Sequence, residues 1–121
     1  MKRADWYVRI KENTIAAGTY RPYFDEVIRT LAGILERRDE AEEAFELSGE
    51  SAIVEHTNVR GETNLAQNPA LRLINDLNRD ALAYWRDLGL TPAGLKKIDE
   101  GALKKRKGSA LAEALRELND G

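Results

Sequence analysis

The sequence predicts a mainly α-helical fold in which two long antiparallel helices are joined by a small β-hairpin and flanked by short helices at both ends. Three observations predict it. Apolar residues recur at three- and four-residue steps from Phe24 to Leu47 and again from Leu71 to Leu88, the period of a helix face. Asn68-Pro69 and Thr91-Pro92 are helix starts, each an N-cap followed by a proline in the first turn, where its missing N–H is no loss. Between the two striped segments, residues 52–64 combine a β-branched run with clustered Asn and Gly, the composition of a strand and a tight turn.

In chain order, a first short helix is expected over residues 4–16, with Trp6, Tyr7, Ile10, Ile15 and Ala16 on its apolar side and Gly18 at its end. Pro22 suits the first turn of the next helix, whose stripe runs through Phe24, Val27, Ile28, Leu31, Ile34 and Leu35. It weakens through Ala41, Ala44, Phe45 and Leu47 and closes at Gly49, giving a helix of roughly 26 residues and about 39 Å. Ala52 to His56 reads as a strand, and residues 57–64 as a turn with a returning strand. His56, Thr57 and Asn58 are placed to bond the turn's backbone. The second long helix starts at Asn68-Pro69, carries Leu71, Ile74, Leu77, Ala81, Trp85 and Leu88, and stops at Gly89. A short helix follows from Pro92 to about Ile98. Residues 101–108 read as a basic linker, and Ser109 caps a last amphipathic helix bearing Leu111, Leu115 and Leu118. Residues 1–100 thus form a helical core domain with the hairpin inserted at about 52–64, and residues 101–121 a basic linker and C-terminal helix.

Composition removes whole classes of function. With no cysteine, disulfides, iron–sulfur clusters, thiolate zinc and thiol catalysis are out. One histidine, His56, cannot build a His-pair metal site. The acids of residues 36–50 lack the Glu-x-x-His partners that bundle di-metal sites use, so they read as an exposed helix face. No phosphate loop, nucleophile elbow, His-Glu-x-x-His or calcium loop is present. No cofactor, no metal and no catalytic residue is therefore expected. No apolar run reaches the ~20 residues of a membrane span, and the expectation is a cytoplasmic protein without a membrane partner.

Charge is informative through its placement. The net charge is -2, from 19 basic and 21 acidic residues. The middle, Glu36 to Glu50, is acidic, while the ends are basic. Lys96, Lys97, Lys104, Lys105, Arg106 and Lys107 form one candidate phosphate-binding group, and Lys2, Arg3, Arg9 and Lys11 another. Cations that neutralise phosphates gain affinity by releasing counterions, without reading sequence. Trp6 and Tyr7 lie among the second group and either stack on a nucleic acid or pack onto the long helices.

From Phe24 to Ile98 the sequence resembles phage terminase small subunits. The resemblance is carried by Asn68-Pro69-Ala70-Leu71 and Leu88-Gly89-Leu90-Thr91-Pro92, spaced by one amphipathic helix. Before them come a long helix with acidic distal turns, Ser48-Gly49, the strand Ile53-Val54-Glu55 and a polar turn. The resemblance implies a non-catalytic DNA-packaging factor, a homo-oligomeric ring that recognises duplex viral DNA. It also implies recruitment and regulation of the large terminase subunit, which holds the ATPase and nuclease, in the cytoplasm of the infected bacterial host. The sequence departs from longer members in its short segment before the first long helix, where no helix-turn-helix fits. Asn68, Pro69, Gly89, Thr91 and Pro92 carry a structural role, helix stops and starts, and are not transferred as DNA contacts. The alternative is a helical adaptor that binds only protein, through the acidic helix and the Leu111-Leu115-Leu118 face.

Overall fold

The computed structural model describes residues 1–120, and Gly121 lies outside the described residues. It contains α1 (Arg3–Ala17), a 3-10 turn (Pro22–Phe24), α2 (Asp25–Leu47), β1 (Ile53–Thr57), β2 (Thr63–Gln67), α3 (Pro69–Asp87) and α4 (Pro92–Asp120). The fold is mainly helical, with one antiparallel hairpin between the two long helices, as the sequence predicts.

α1 buries Trp6, Ile10 and Thr14, a clean four-residue step, and ends where Gly18 turns left-handed at φ 74°. Ile15 and Ala16, expected on the packed side, are exposed because they fall one and two positions off that step. Pro22 opens the 3-10 turn rather than the long helix, so α2 begins at Asp25 and is 23 residues long. Residues 31–35 of α2 are buried at five successive positions, which requires cover on more than one side. α3 covers one side and α1 another, so both sides are packed within the chain. Gly49 ends α2 at φ 84°, as its composition predicts, and the Glu50 N–H donates back to the Phe45 carbonyl at 3.1 Å.

The hairpin pairs Ile53 with Gln67 and Thr57 with Thr63, so it runs three residues past the expected end at 64. His56 lies in β1 opposite Asn64, and the backbone-bonding role in the turn belongs to Asn58. The Asn58 Oδ1 accepts from Arg60 N–H at 2.9 Å and Glu62 N–H at 3.1 Å. Thr57 instead meets the Thr63 hydroxyl at 3.1 Å. The core cluster joins Trp6 and Ile10 of α1, Ile28, Leu31 and Leu35 of α2, Ile74, Leu77 and Ala81 of α3, and Leu88. Trp85, expected in this stripe, is half-buried against it.

The C-terminal expectation needs correction. The short helix, basic linker and separately capped last helix are one continuous helix, α4, of 29 residues. Gly101 and Gly108, read as linker signals, sit inside it, because an isolated glycine weakens a helix by only about 1 kcal/mol and need not end it. The side chains of residues 101–119 are all exposed, so α4 leaves the packed body after its first turns.

Candidate nucleic-acid interface

α4 is held to the body at its start. Thr91 Oγ1 accepts the Gly94 N–H at 3.0 Å, the capping role its position predicts. Gly94 is buried against the end of α3, where a Cβ would sit 2.2 Å from the Arg86 carbonyl oxygen. Only a glycine allows so close an approach of the two backbones. Lys96 and Lys97 follow on exposed positions, and Lys97 lines a cleft of about 450 Å³ with Arg86 and Asp87. Arg86 therefore joins the basic group beside α4. Its position in the last turn of α3, just before Gly89, was the one signal that could have found it.

Lys104, Lys105, Arg106 and Lys107 all lie on the projecting part of α4 and are exposed. Among the described residues, none of these four and neither Lys96 nor Lys97 pairs with a carboxylate. At about 100° per residue, Lys96, Lys97, Lys104 and Lys107 share one sector of the helix, while Lys105 and Arg106 lie on other sides.

The N-terminal basic group is largely committed to its own fold. The Arg3 guanidinium donates to the Arg29 carbonyl through Nε and Nη2, both at 3.3 Å, and lies over Gly33. The Arg3 N–H donates to Glu36 Oε2 at 2.6 Å. Arg9 rests over the Trp6 ring at 5.4 Å, and Lys11 over the Tyr20 ring at 5.3 Å and the Tyr7 ring at 6.0 Å. Lys2 lines a shallow acidic groove with Glu36, Asp39, Glu40 and Glu43. Trp6 is buried and donates through Nε1 to Asp39 Oδ2 at 2.7 Å. The two aromatics pack onto α2 rather than presenting a stacking surface. α1 rests on α2 and α4 on α3, so the two basic groups are carried by different helix pairs.

Two carboxylates fasten α1. Asp25 accepts from the Tyr7 hydroxyl and from Arg29 Nε, the latter at 2.8 Å. These bonds hold its carboxyl below the usual range, and the bond to Asp25 pushes the Tyr7 phenol up. Burial pushes the Asp39 carboxyl up, but hydrogen bonds from the Met1 ammonium and Trp6 outweigh it and leave Asp39 below its ordinary value. At the other end of the body, Asn68 is buried, and its side chain and N–H make four bonds. Its Oδ1 caps α3 by accepting the Ala70 N–H at 3.0 Å, and its Nδ2 donates to Ser48 Oγ at 2.7 Å and the Ser51 carbonyl at 2.9 Å. Its own N–H reaches the Ala52 carbonyl at 2.9 Å. Pro69 fills the first helical position behind it.

Among the described residues, no group of three or more His, Asp or Glu side chains is arranged to hold a metal ion, and no helix is long and apolar enough to cross a membrane. What the geometry offers is an exposed stretch of helix, residues 96–107, whose cations have no carboxylate partner among the described residues, carried on a packed helical body. No curated protein and no solved structure matches the chain. The family model described as phage terminase, small subunit, matches residues 4–104, nearly all of the packed body and the first turns of α4. The chain belongs to the phage terminase small-subunit family.

Proposed function

We propose that this chain binds duplex viral DNA, assembles as a homo-oligomeric ring, and recruits and regulates the large terminase subunit during packaging. It does so without catalysis of its own, inside the infected bacterial cell. Membership of the family supports a role in phage DNA packaging. The observation that carries the DNA-binding part is α4: six basic side chains within twelve positions, exposed and free of carboxylate partners among the described residues. A lone helix of this kind fits the major groove of a duplex, and its cations gain affinity by displacing counterions. Lys96, Lys97, Lys104, Lys105, Arg106 and Lys107 are the candidate contacts. Lys2, with its head free of the ring and carbonyl contacts that occupy Arg3, Arg9 and Lys11, is the available member of the N-terminal group.

Fluorescence anisotropy of a labelled duplex, titrated at several salt concentrations, tests this reading. Binding that weakens steeply with salt is expected. No binding at low salt would instead favour a helical adaptor that contacts only protein. The exposed Leu111, Leu115 and Leu118 suit that second reading.

A further inference from the structure

We propose that the projecting half of α4 docks on the acidic outer face of α2 in a second copy of this chain, so that each subunit reaches head-to-tail onto the next. This contact presupposes the homo-oligomer of the reading above and turns Lys104 and Lys107 toward the neighbouring subunit, leaving the outward cations of α4 to DNA. On α4, Gly101, Lys104, Gly108, Leu111, Leu115 and Leu118 follow steps of three, four, three, four and three, the spacing of a helix–helix seam. Leu111 is 63% exposed, Leu115 54% and Leu118 77%, so the seam has no partner within the chain. Neither Gly101 nor Gly108 has any atom within 4 Å of a Cβ placed on it. A solitary stretch of this length with two interior glycines is marginal as a helix in water, and packing an apolar face is what stabilises such a stretch.

Charge selects the partner. Lys104 lies in the seam, and Lys105 and Lys107 flank it. Two α4 helices in parallel register would set Lys104 against Lys104, and an antiparallel pair centred on the leucines would leave Lys104 facing no opposite charge. The partner must instead be acidic with an apolar end. α2 offers such a face. Asp25, Arg29, Gly33 and Glu36 form the side on which α1 rests through Tyr7 and Arg3. The same side continues at steps of four and three through Glu40, Glu43 and Leu47, beyond the start of α1. All three residues are exposed, Leu47 by 83%, and a groove of about 270 Å³ opens beside Glu40 and Glu43. α4 packs on α3 of its own chain, so its projecting half meets this face in another copy. Heterologous contacts of this kind close into a ring when the rotation permits. Arg106 and Lys96 stay on the outer sides of α4, available to phosphate.

The test is light scattering of the full chain across a dilution series, without DNA. The wild type assembles, and E40K/E43K and K104E/K107E each raise the concentration for half-assembly by roughly tenfold or more, since like charges then face each other. Mixing the two variants restores assembly, because each supplies the surface the other lacks. L115A, which leaves the charges intact, weakens assembly in the same direction. A monomeric wild type, variants that assemble unchanged, or a mixture that fails to recover would each overturn the contact. DNA binding that fails while this pattern holds would overturn the packaging reading and leave the contact standing.

Discussion

The Thr19 hydroxyl donates to the backbone carbonyl of Leu88 at 2.7 Å, joining positions 69 residues apart. Both groups are buried, and the bond ties the turn after α1 to the turn between α3 and α4. Gly89 sits beneath it at φ 73°, where a Cβ would lie 2.7 Å from Ile98 Cδ1 and 2.8 Å from Thr19 Cγ2. The angle at which α4 leaves the body is therefore set by Thr19, Gly89 and Gly94 together.

Thr19→Ala leaves the Leu88 carbonyl without its partner and should cost about 1–3 kcal/mol. Gly89→Ala should cost at least as much, since it meets both steric contact and a left-handed backbone. Chemical denaturation of both variants checks this; stability equal to wild type in Gly89→Ala would show that the turn is loosely packed.

Leu31 is fully buried in α2, and Leu77 is 7% exposed on the facing side of α3. Leu31→Ala or Leu77→Ala should each destabilise by about 2–5 kcal/mol, through lost burial and the cavity left behind. A change below 1 kcal/mol at Leu31, measured by urea unfolding, would contradict the antiparallel α2–α3 core.

Asn68 links the hairpin base, the end of α2 and the start of α3. Asn68→Ala should cost roughly 1–2 kcal/mol from the lost cap, and more from the stranded Ser51 carbonyl. Asn68→Asp keeps the cap and loses the donor, so its effect separates the two roles. Amide exchange across residues 52–67 should quicken in both variants while the α2–α3 core stays protected.

Tyr7→Phe tests how α1 is fastened. The Asp25 carboxyl is depressed in the fold by the bonds from Tyr7 and Arg29. Its stabilisation is thus present above its ordinary value of 3.8 and lost as pH falls through the lower folded value. The Tyr7 phenol is raised, so its stabilisation is present below 10.0 and lost as pH rises through the folded value. The wild type should melt higher than Tyr7→Phe by a constant margin between about pH 5 and 9. That margin should narrow in stronger acid and in stronger base. A margin unchanged in strong acid would show that the bond does not govern the Asp25 carboxyl.

The parts of the fold written in local chemistry were legible in the sequence. Asn68-Pro69, Thr91-Pro92 and Gly49 each act within a turn of helix, and each does what its type predicts. Gly101, Gly108 and Ser109 misled, because breakers in a charged stretch read equally as a linker or as weak points in one long helix. For the candidate interface, the exposure of Lys96 to Lys107 followed from composition. The capture of Arg3 by the Arg29 carbonyl and of Trp6 by Asp39 did not. Those contacts join residues 26 and 33 positions apart and depend on where α1 crosses α2, which no local pattern encodes.

The claim that α4 meets phosphate is tested most directly by the salt dependence of duplex binding in a chain with Lys104, Lys105, Arg106 and Lys107 all changed to glutamine. Each phosphate contact contributes roughly 0.9 to the slope of log affinity against log salt. The account predicts weaker binding and a shallower slope, lower by about that amount for every contact removed. Affinity and slope both equal to wild type would contradict it and leave α4 a helix for protein contacts alone.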